Sequence, residues 1–464
     1  MPQAETVEIP KRLPLVIVPS NRDETTAKDA KLVNCYCEKT ETGEYWLYKR
    51  PGLLVNITKS GNGYGVFNWL GDIYAIFGNT VYKNGGAIAG TVDTTNGVYR
   101  FGSCLGATPR LQLGNGVKVY NYDAGGGLIL INAAAFPAAF VKGWVYLDKT
   151  TYVMDTTTII SGSGLNDTVN WDGTNTINAF SEPDKAVGLA KQLVYVVAFK
   201  QWSAEVFYDA SNATGSPLLP VQGAKINYGC VSGDSIQDID GILLWLSTNK
   251  SSSVQVMAMD NLKVQTVSTK AIEKLLDKLD YTTVFSWQMK HDGHKFYVIT
   301  SKVGNLTLAF DLSERMWHQW TDVNGNYFPI VASTYDSTFH HILQHETNGK
   351  LYYADSDYTN DDGSIITVDI YTPNFDGGTR RRKQMNFMEF IGDQTAGSEL
   401  LVRKNDDDYD STKWSNFRKV DLSKKRPFLT NNGTFVRRAH NFRHQKDTKF
   451  RIQAVELQID LGVL

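Results

Sequence analysis

The sequence predicts an all-β protein, a six-bladed β-propeller with an additional C-terminal β-sandwich-like domain. Three observations lead to this prediction: the composition, a series of similar hairpins, and a change of character near residue 370. The 464 residues include 10 Trp, 23 Tyr, 21 Phe and 39 Gly but 13 Pro. This mixture favours short strands joined by glycine-rich turns, and the length suits two or three domains.

Seven segments have the pattern of an antiparallel hairpin. In the first, Tyr74 and Ile76 alternate before a Gly78-Asn79 turn, and Val81 and Tyr82 follow it. The first six segments are spaced at roughly the length of a four-stranded propeller blade. The seventh can complete a blade begun by the N-terminal segment. No WD or kelch signature is present, so an array of β-sandwiches is the alternative. The segments are residues 65–85, 110–125, 142–155, 191–210, 240–259, 294–320 and 340–355.

These patterns divide the chain into three parts. Residues 1–50 are expected to be an extended segment that contributes to the propeller or to subunit contacts, residues 51–370 the propeller, and residues 371–464 the sandwich-like domain. Strand patterns in the last part cover 380–392, 398–422, 434–445 and 449–461. One segment departs from the β pattern: Ile272, Leu275, Leu276 and Leu279 share one face of a predicted amphipathic helix within 268–280.

Charge is balanced over the whole chain but uneven along it. Lys and Arg total 47 and Asp and Glu total 49, for a net charge of −2. From Arg380 to the end, 18 basic residues face 11 acidic ones, which leaves −9 for residues 1–379. The chain as a whole is therefore not a polycation for gripping nucleic acid.

The sequence is expected to lack targeting signals, disulfide bonds and a cysteine zinc site. The N-terminus has no secretion-signal pattern, and no segment is long and apolar enough to predict a membrane span. Four cysteines, Cys35, Cys37, Cys104 and Cys230, form neither a disulfide framework nor a zinc motif. Reduced, buried thiols are expected.

No motif predicts a catalytic, cofactor or metal site. The histidines near 291–294 and 340–345 lack metal-ligand spacing, and the acidic loops 355–363 and 405–414 do not fit a calcium-binding EF-hand. The second loop loosely resembles the Asp-box of sialidase-type propellers through its Asp run and Trp414. A carbohydrate-active or carbohydrate-binding propeller is therefore the alternative function, although no carboxylate pair is identified for glycoside hydrolysis.

Seven basic residues near the C-terminus form a candidate interface. Three explanations of these residues are left open: they contact nucleic-acid phosphates, they contact a partner protein, or they only face solvent. Arginine is favoured at protein interfaces. The residues are Arg380, Arg381, Arg382, Lys383, Arg437, Arg438 and Arg443.

The order of several segments resembles the packaged-DNA stabilisation protein of short-tailed phages, the hub or nozzle of the tail. The likeness covers most of the chain. It lies in Asn21-Arg22-Asp23, Asp29 to Tyr36, Lys49 to Leu53, Ser268 to Leu276, His294 to Val298, Leu308 to Asp311, Trp317 to Trp320, Asn405 to Asp408, Trp414 to Asn416, Arg437-Arg438, and Phe450 to Ile452.

This resemblance implies a six-bladed propeller that forms a hexameric ring beneath the portal and brings no catalytic residues. It also implies contacts with the portal or adaptor protein, a tail fibre or tailspike, and a needle or tip protein. Double-stranded DNA would pass through the ring without sequence-specific contacts. Location in the virion, after assembly in the host cytoplasm, follows from the same resemblance.

Overall fold

The computed structural model describes residues 12–15, 30–338, 340–407, 410 and 412–461. The chain forms two compact units. The propeller unit comprises the described residues within Val55–Asn305 and Pro329–Tyr353, and the sandwich unit comprises those within Met1–Leu54, Leu306–Phe328 and Ala354–Leu464. Of the residues that carry the family resemblance, Asn21, Arg22, Asp23, Asp29 and Asp408 lie outside the described residues.

Strands dominate both units. The first five are β1 (Arg12–Leu13), β2 (Lys31–Val33), β3 (Cys35–Lys39), β4 (Tyr45–Lys49) and β5 (Gly52–Thr58). The next eight are β6 (Gly63–Trp69), β7 (Asp72–Phe77), β8 (Thr80–Lys83), β9 (Gly86–Ala87), β10 (Arg100–Cys104), β11 (Arg110–Gly114), β12 (Val119–Asp123) and β13 (Gly127–Leu130). Then follow β14 (Val145–Leu147), β15 (Thr150–Met154), β16 (Ile159–Gly164), β17 (Asp167–Asn178), β18 (Ala186–Gln192), β19 (Tyr195–Lys200), β20 (Ala204–Asp209) and β21 (Leu218–Pro220).

The chain continues with β22 (Gln237–Ile239), β23 (Ile242–Asn249), β24 (Ser252–Asp260), β25 (Lys263–Thr266), helix α1 (Lys270–Leu276), β26 (Val284–His291), β27 (His294–Ser301), β28 (Leu306–Asp311), β29 (Met316–Gln319), β30 (Ile330–Tyr335) and β31 (His341–His345). The last strands are β32 (Lys350–Asp355), β33 (Asn360–Asp361), β34 (Ser364–Ile365), β35 (Val368–Tyr371), β36 (Lys383–Gly392), β37 (Glu399–Asn405), β38 (Arg418–Asp421), β39 (Phe428–Thr430), β40 (Thr434–Phe435), β41 (Ala439–His444) and β42 (Arg451–Leu461). Short 3-10 helices cover Gly233–Ser235 and Tyr281–Thr283.

The propeller unit confirms the predicted all-β propeller. Five antiparallel sheets of four strands follow one another in the chain, from β6–β9 to β22–β25. Their first strands, together with β26 and β30, follow one another around a ring in the order β6, β10, β14, β18, β22, β26 and β30, and the 3-10 helix Gly233–Ser235 contacts β18 and β26.

Side-chain hydrogen bonds close this ring between the last inner strand and its neighbours. Thr334 Oγ1 accepts the Asn68 N–H at 3.0 Å, and Ser333 Oγ donates to the Gln288 carbonyl at 2.5 Å. From β31, Gln344 Oε1 accepts the Gly65 N–H at 2.7 Å. Polar side chains therefore tie β30 and β31 to the sheets on either side, and apolar clusters fill the space between successive sheets.

The sandwich unit has two sheets around one core. One sheet has the order β3-β4-β42-β36-β39, with β1 beside β42 and β40 beside β36, and the other has the order β28-β29-β2-β35-β41-β37-β38. The core between them contains Leu32, Leu47, Met388, Phe442 and Val455, all buried. The sandwich unit therefore draws its strands from three separate parts of the chain.

The predicted domain limits of 50 and 370 stay a prediction, because the sandwich unit is built from separate segments of the chain. Among the described N-terminal strands of this unit, β2 pairs with β29 and β35, and β4 pairs with β42, where Leu47 lies opposite Ile452. Residues 306–328 and 354–370 join the same unit. A pairing across some 400 residues leaves no local signal in the sequence, so composition alone could not place this boundary.

Local patterns were more informative. The predicted helix within 268–280 is present as α1, where Thr269 Oγ1 caps the first turn by accepting the Ile272 N–H. Ile272 and Leu276 are buried, but Leu275 is exposed and the helix ends at Leu276. The predicted apolar face is therefore shorter than the spacing indicated.

Candidate functional site

The seven basic residues of the candidate interface lie in the sandwich unit but have different surroundings. Lys383 is fully buried, and its Nζ donates to the carbonyls of Thr379 at 2.6 Å and Arg381 at 2.8 Å. The ammonium lies 5.5 Å from the centre of the Phe435 ring. Burial lowers the pKa of Lys383. Lys383 therefore holds the preceding loop from inside.

Arg438 and Arg443 are also engaged within the unit. Arg438 is buried and makes a two-point ion pair with Asp406, with Nε–Oδ1 2.6 Å and Nη2–Oδ2 3.0 Å. Arg443 makes the same kind of pair with Asp369, at 2.8 and 3.0 Å, and its guanidinium lies 5.2 Å from the Phe417 ring centre. Bidentate pairs of this kind fix side chains in place, so both arginines serve the fold.

The outward-facing part of the candidate interface is the loop before β36. Arg380 and Arg382 are exposed, while Arg381 is partly buried. Arg437 is also partly buried, and its Nε lies 3.8 Å from Asp376 in the same loop. Backbone pairing of Lys383 with Phe435 and of Phe375 with Arg438 brings the two basic segments together. The exposed basic residues of the candidate interface, Arg380 and Arg382, therefore lie on the loop whose carbonyls accept hydrogen bonds from Lys383.

A second candidate site lies at the mouth of the propeller ring. A cavity of about 580 Å³ is lined by residues of β6, β10, β22, β26 and β30 and of adjoining segments, with Tyr99, Arg100, Asp238, Lys290 and His341 among them. Sequence analysis missed this site because its residues come from separate repeats that only the ring brings together. The hairpin periodicity predicts that inner strands surround an axis but does not identify which side chains line it.

The charged groups of this cavity have structural partners. Asp238 Oδ1 accepts the Gly241 N–H at 2.8 Å within a tight turn. Asp240 pairs with both Lys290 and Lys295, and hydrogen bonds from these lysines lower the pKa of Asp240. Burial, helped by His291 and Lys290, lowers the pKa of His341 to about 4, so its ring is neutral near pH 7. The neutral ring accepts the Lys290 N–H through Nε2 at 3.1 Å.

The other chemical candidates have local structural roles. Within 405–414, Asn405 Nδ2 donates to the Asp410 carbonyl at 2.7 Å, and Thr412 donates to Asp410 Oδ1 at 2.9 Å through its N–H. Trp414 packs edge-on against Tyr371 at 5.7 Å. Over the described ranges, no group of three or more His, Cys, Asp or Glu side chains is placed to hold a metal ion. The described residues of the 405–414 loop are therefore held by local hydrogen bonds.

The cysteines match their prediction. All four are free and buried. Burial raises the pKa of both Cys37 and Cys230 to about 12, so these thiols are protonated at neutral pH. Among the described residues, none of the helices has the length and apolarity needed to cross a membrane.

Several solved structures are similar to this chain at low sequence identity. A catalytically inactive virginiamycin B lyase from Staphylococcus aureus with quinupristin has a TM-score of 0.45 at 8% identity, covering 66% of this chain and 98% of the lyase. YCF48 bound to D1 peptide has a TM-score of 0.38 at 11% identity, covering 69% and 98%. The extracellular domain of BT4673 from B. thetaiotaomicron has a TM-score of 0.41 at 11% identity, covering 86% and 58%. At these scores the likenesses carry no argument about function.

Sequence comparison is more informative. No curated protein matches the chain. A family model described as "Bacteriophage P22 Gp10, beta-propeller" matches residues 21–367, which is well over half of the sequence. This range includes the whole propeller unit and the strands β2–β5 and β28–β29. The chain therefore belongs to the Phage_stabilise family, the phage DNA-stabilisation β-propeller proteins typified by Gp10 of bacteriophage P22.

Proposed function

We propose that the chain is the hub or nozzle of a short phage tail, where it extends the portal channel, retains packaged DNA and forms the conduit for ejection. The observation that carries this proposal is the family match over residues 21–367. Six copies form a ring by heterologous contacts, in which one surface of each subunit meets a different surface of the next. The ring belongs to the virion and is assembled in the host cytoplasm.

Charge supports a passive conduit for DNA. A channel that held phosphates tightly along its whole length would slow ejection, whereas residues 1–379 carry a net charge of −9. The acidic part of the chain thus repels double-stranded DNA weakly and without sequence preference. The bonding of Asp238 and Asp240 within the propeller unit also favours a structural role over an enzymatic one.

Protein partners are assigned to the basic loop of the sandwich unit. Arg380 and Arg382 are exposed beside a clamped backbone, so they offer planar, preorganised donors to acidic groups. The portal or adaptor protein is the proposed partner of this loop. A tail fibre or tailspike and a needle or tip protein complete the assembly.

The test is a double charge reversal, R380E/R382E, in cells infected by a phage that lacks its own copy of the gene. The control is K424E/K425E, which makes the same change in charge at two exposed lysines of the same unit. We expect R380E/R382E to remain folded but to be missing from tails, and K424E/K425E to be incorporated normally. Normal tails with R380E/R382E would reject the docking assignment, and absence of the wild-type protein from particles would reject the hub itself.

The alternative function is a carbohydrate-active or carbohydrate-binding propeller. Within the described structure, we assign this alternative function only to the cavity at the mouth of the ring. The aromatic and carboxylate groups of the cavity suit a sugar. A hydrolysis screen with nitrophenyl glycosides and host glycans distinguishes the two functions. Turnover that is lost in D238N would favour the enzyme.

A further inference from the structure

The outer strands of the propeller sheets expose unpaired backbone groups, and such edges usually carry a feature that blocks association. Four of the five complete sheets have one. The outer strand β9 is only two residues long. Asp167 and Asp172 place charge on β17, whose register also shifts against β16. Pro220 ends β21, and Lys263 begins β25.

Strand β13 lacks every one of these features. Ile129 is 52% exposed and Leu130 is 41% exposed. No charged residue occurs between Asp123 and Lys142, so the strand and the segment after it are uncharged throughout. An uncharged, aliphatic and exposed edge promotes association with another strand. Among the outer strands of the five complete sheets, β13 is therefore the one without a feature that blocks association.

The backbone of β13 is ready to accept another strand. The Ile131 N–H donates to the Val119 carbonyl at 2.9 Å, and Ile129 lies opposite Asn121. Since antiparallel residues alternate between the two sides, Leu128 and Leu130 direct their N–H and C=O groups away from β12. No described residue forms a backbone hydrogen bond to Leu130 on that side. The N–H and C=O of Leu130 thus point to the exterior, and those of Leu128 point the same way next to Gly90.

We propose that β13 is completed by an extended strand from a different protein of the assembled particle. The incoming segment is uncharged and carries aliphatic side chains at alternate positions, because a charge buried against Ile129 and Leu130 would lack a partner. Main-chain hydrogen bonds to Leu128 and Leu130 provide the affinity, as in other cases of strand addition.

A second copy of this chain is a poorer occupant. Self-pairing of β13 would be two-fold symmetric and would end at a dimer, whereas the proposed ring needs contacts that continue from subunit to subunit. The other outer strands of a second copy carry charge or proline, or are too short. The exclusion of a second copy rests on the proposed function, in which the subunits form a ring.

Two substitutions test the inference. I129K places a charge on the edge, and L130P removes an outward N–H that β12 does not use, so the β12–β13 pairing is kept. The matched control is L219K on β21, which also adds a lysine at an exposed aliphatic position of an outer strand. Each variant is supplied to cells infected by a phage lacking the gene, and infectious particles are counted.

We expect I129K and L130P to lower the yield of infectious particles by about 100-fold and L219K to stay within about twofold of wild type. Circular dichroism and thermal unfolding of the purified variants must match the wild type. As a measurement on unaltered protein, hydrogen exchange at Leu130 should be slower in particles than in the isolated chain. Fast exchange in particles would overturn the inference even if a variant misfolds.

The outcomes separate the two proposals. If the wild-type chain is absent from particles, the hub function fails. If the wild type is present and both β13 variants are incorporated normally, strand addition fails while the hub function stands. If I129K lowers the molar mass of the purified chain by light scattering, a second copy occupies the edge and the assignment to a different protein is overturned.

Discussion

Arg50 and Asp361 form a buried two-point ion pair, with Nη1–Oδ1 2.9 Å and Nη2–Oδ2 2.5 Å. The guanidinium also donates to Asn34 Oδ1 at 3.0 Å and lies 4.3 Å from the Phe328 ring centre. It donates to the Thr321 carbonyl at 3.2 Å. Arg50 thus connects all three chain segments of the sandwich unit, which gives a physical reason for the Arg-Pro-Gly sequence noted as part of the family resemblance.

We expect R50K to destabilise the sandwich unit by about 3 kcal/mol, because lysine keeps the charge but loses the planar fork and the ring contact. Urea unfolding followed by tryptophan fluorescence measures the loss. The control is R426K, since Arg426 makes a similar pair with Glu389 but is exposed, and its replacement should lower stability much less than R50K does. Equal losses in the two variants would contradict the assigned role of Arg50.

Lys200 is the corresponding buried charge of the propeller unit. Its Nζ lies 2.6 Å from Glu205 and 3.3 Å from Asp184, and it donates to the Glu182 carbonyl at 2.9 Å. K200M would leave two carboxylates without their cation and should cost about 3–5 kcal/mol. K225M removes an exposed partner of Glu182 and should change stability by less than about 1 kcal/mol. A thermal shift assay on both variants makes the comparison, and an unchanged K200M would refute it.

Leu70 occupies a turn position with a left-handed backbone conformation, so replacing this leucine should stabilise the protein. Leu70 has φ 53° and precedes Gly71 with φ 88°, a conformation that favours Asn-Gly. The equivalent first turns of two later sheets have Asp240-Gly241 and Asp292-Gly293. L70N should therefore raise stability by about 0.5–1 kcal/mol, since Leu70 is exposed and loses little packing. L105N, which changes an exposed leucine without a positive φ, should give no gain in the same thermal unfolding experiment.

The sequence predicted features that depend on neighbours in the chain. The strand pattern of 449–461 correctly predicted β42, in which Ile452 and Ala454 are buried, and the spacing of Ile272 and Leu276 correctly predicted α1. The sequence could not predict which basic side chains are buried. Lys383 and Arg382 are adjacent and chemically similar, yet one is buried and the other exposed, because the loop folds back on the Lys383 ammonium.

The same limit applies to the candidate sites. The cavity of the propeller unit and the unprotected edge of β13 depend on which strands are innermost and outermost in each sheet. Hairpin patterns indicate pairs of strands but do not rank the four strands of a sheet from the axis outward. Ring closure through Asn68 and Thr334 likewise joins residues more than 250 positions apart.

Two buried histidines of the sandwich unit should make stability depend on pH. Burial, with Arg438 and Lys404 nearby, lowers the pKa of His440 to about 3 from the ordinary 6.5. Burial, with Lys49 and Lys446 nearby, lowers the pKa of His444 to about 3 as well. Between pH 6.5 and about 3 the unfolded chain binds these protons and the folded chain does not, so stability falls as pH falls through this window.

Each histidine contributes a loss of about 1.4 kcal/mol per pH unit in that range. The measurement is the urea midpoint at pH 7.5, 6 and 5. H440F keeps a ring stacked 5.7 Å from Phe442 and removes one titrating group, so its stability should fall less steeply with acid than that of the wild type. A wild-type midpoint that is the same at pH 7.5 and pH 5 would show that neither imidazole is held neutral by the fold.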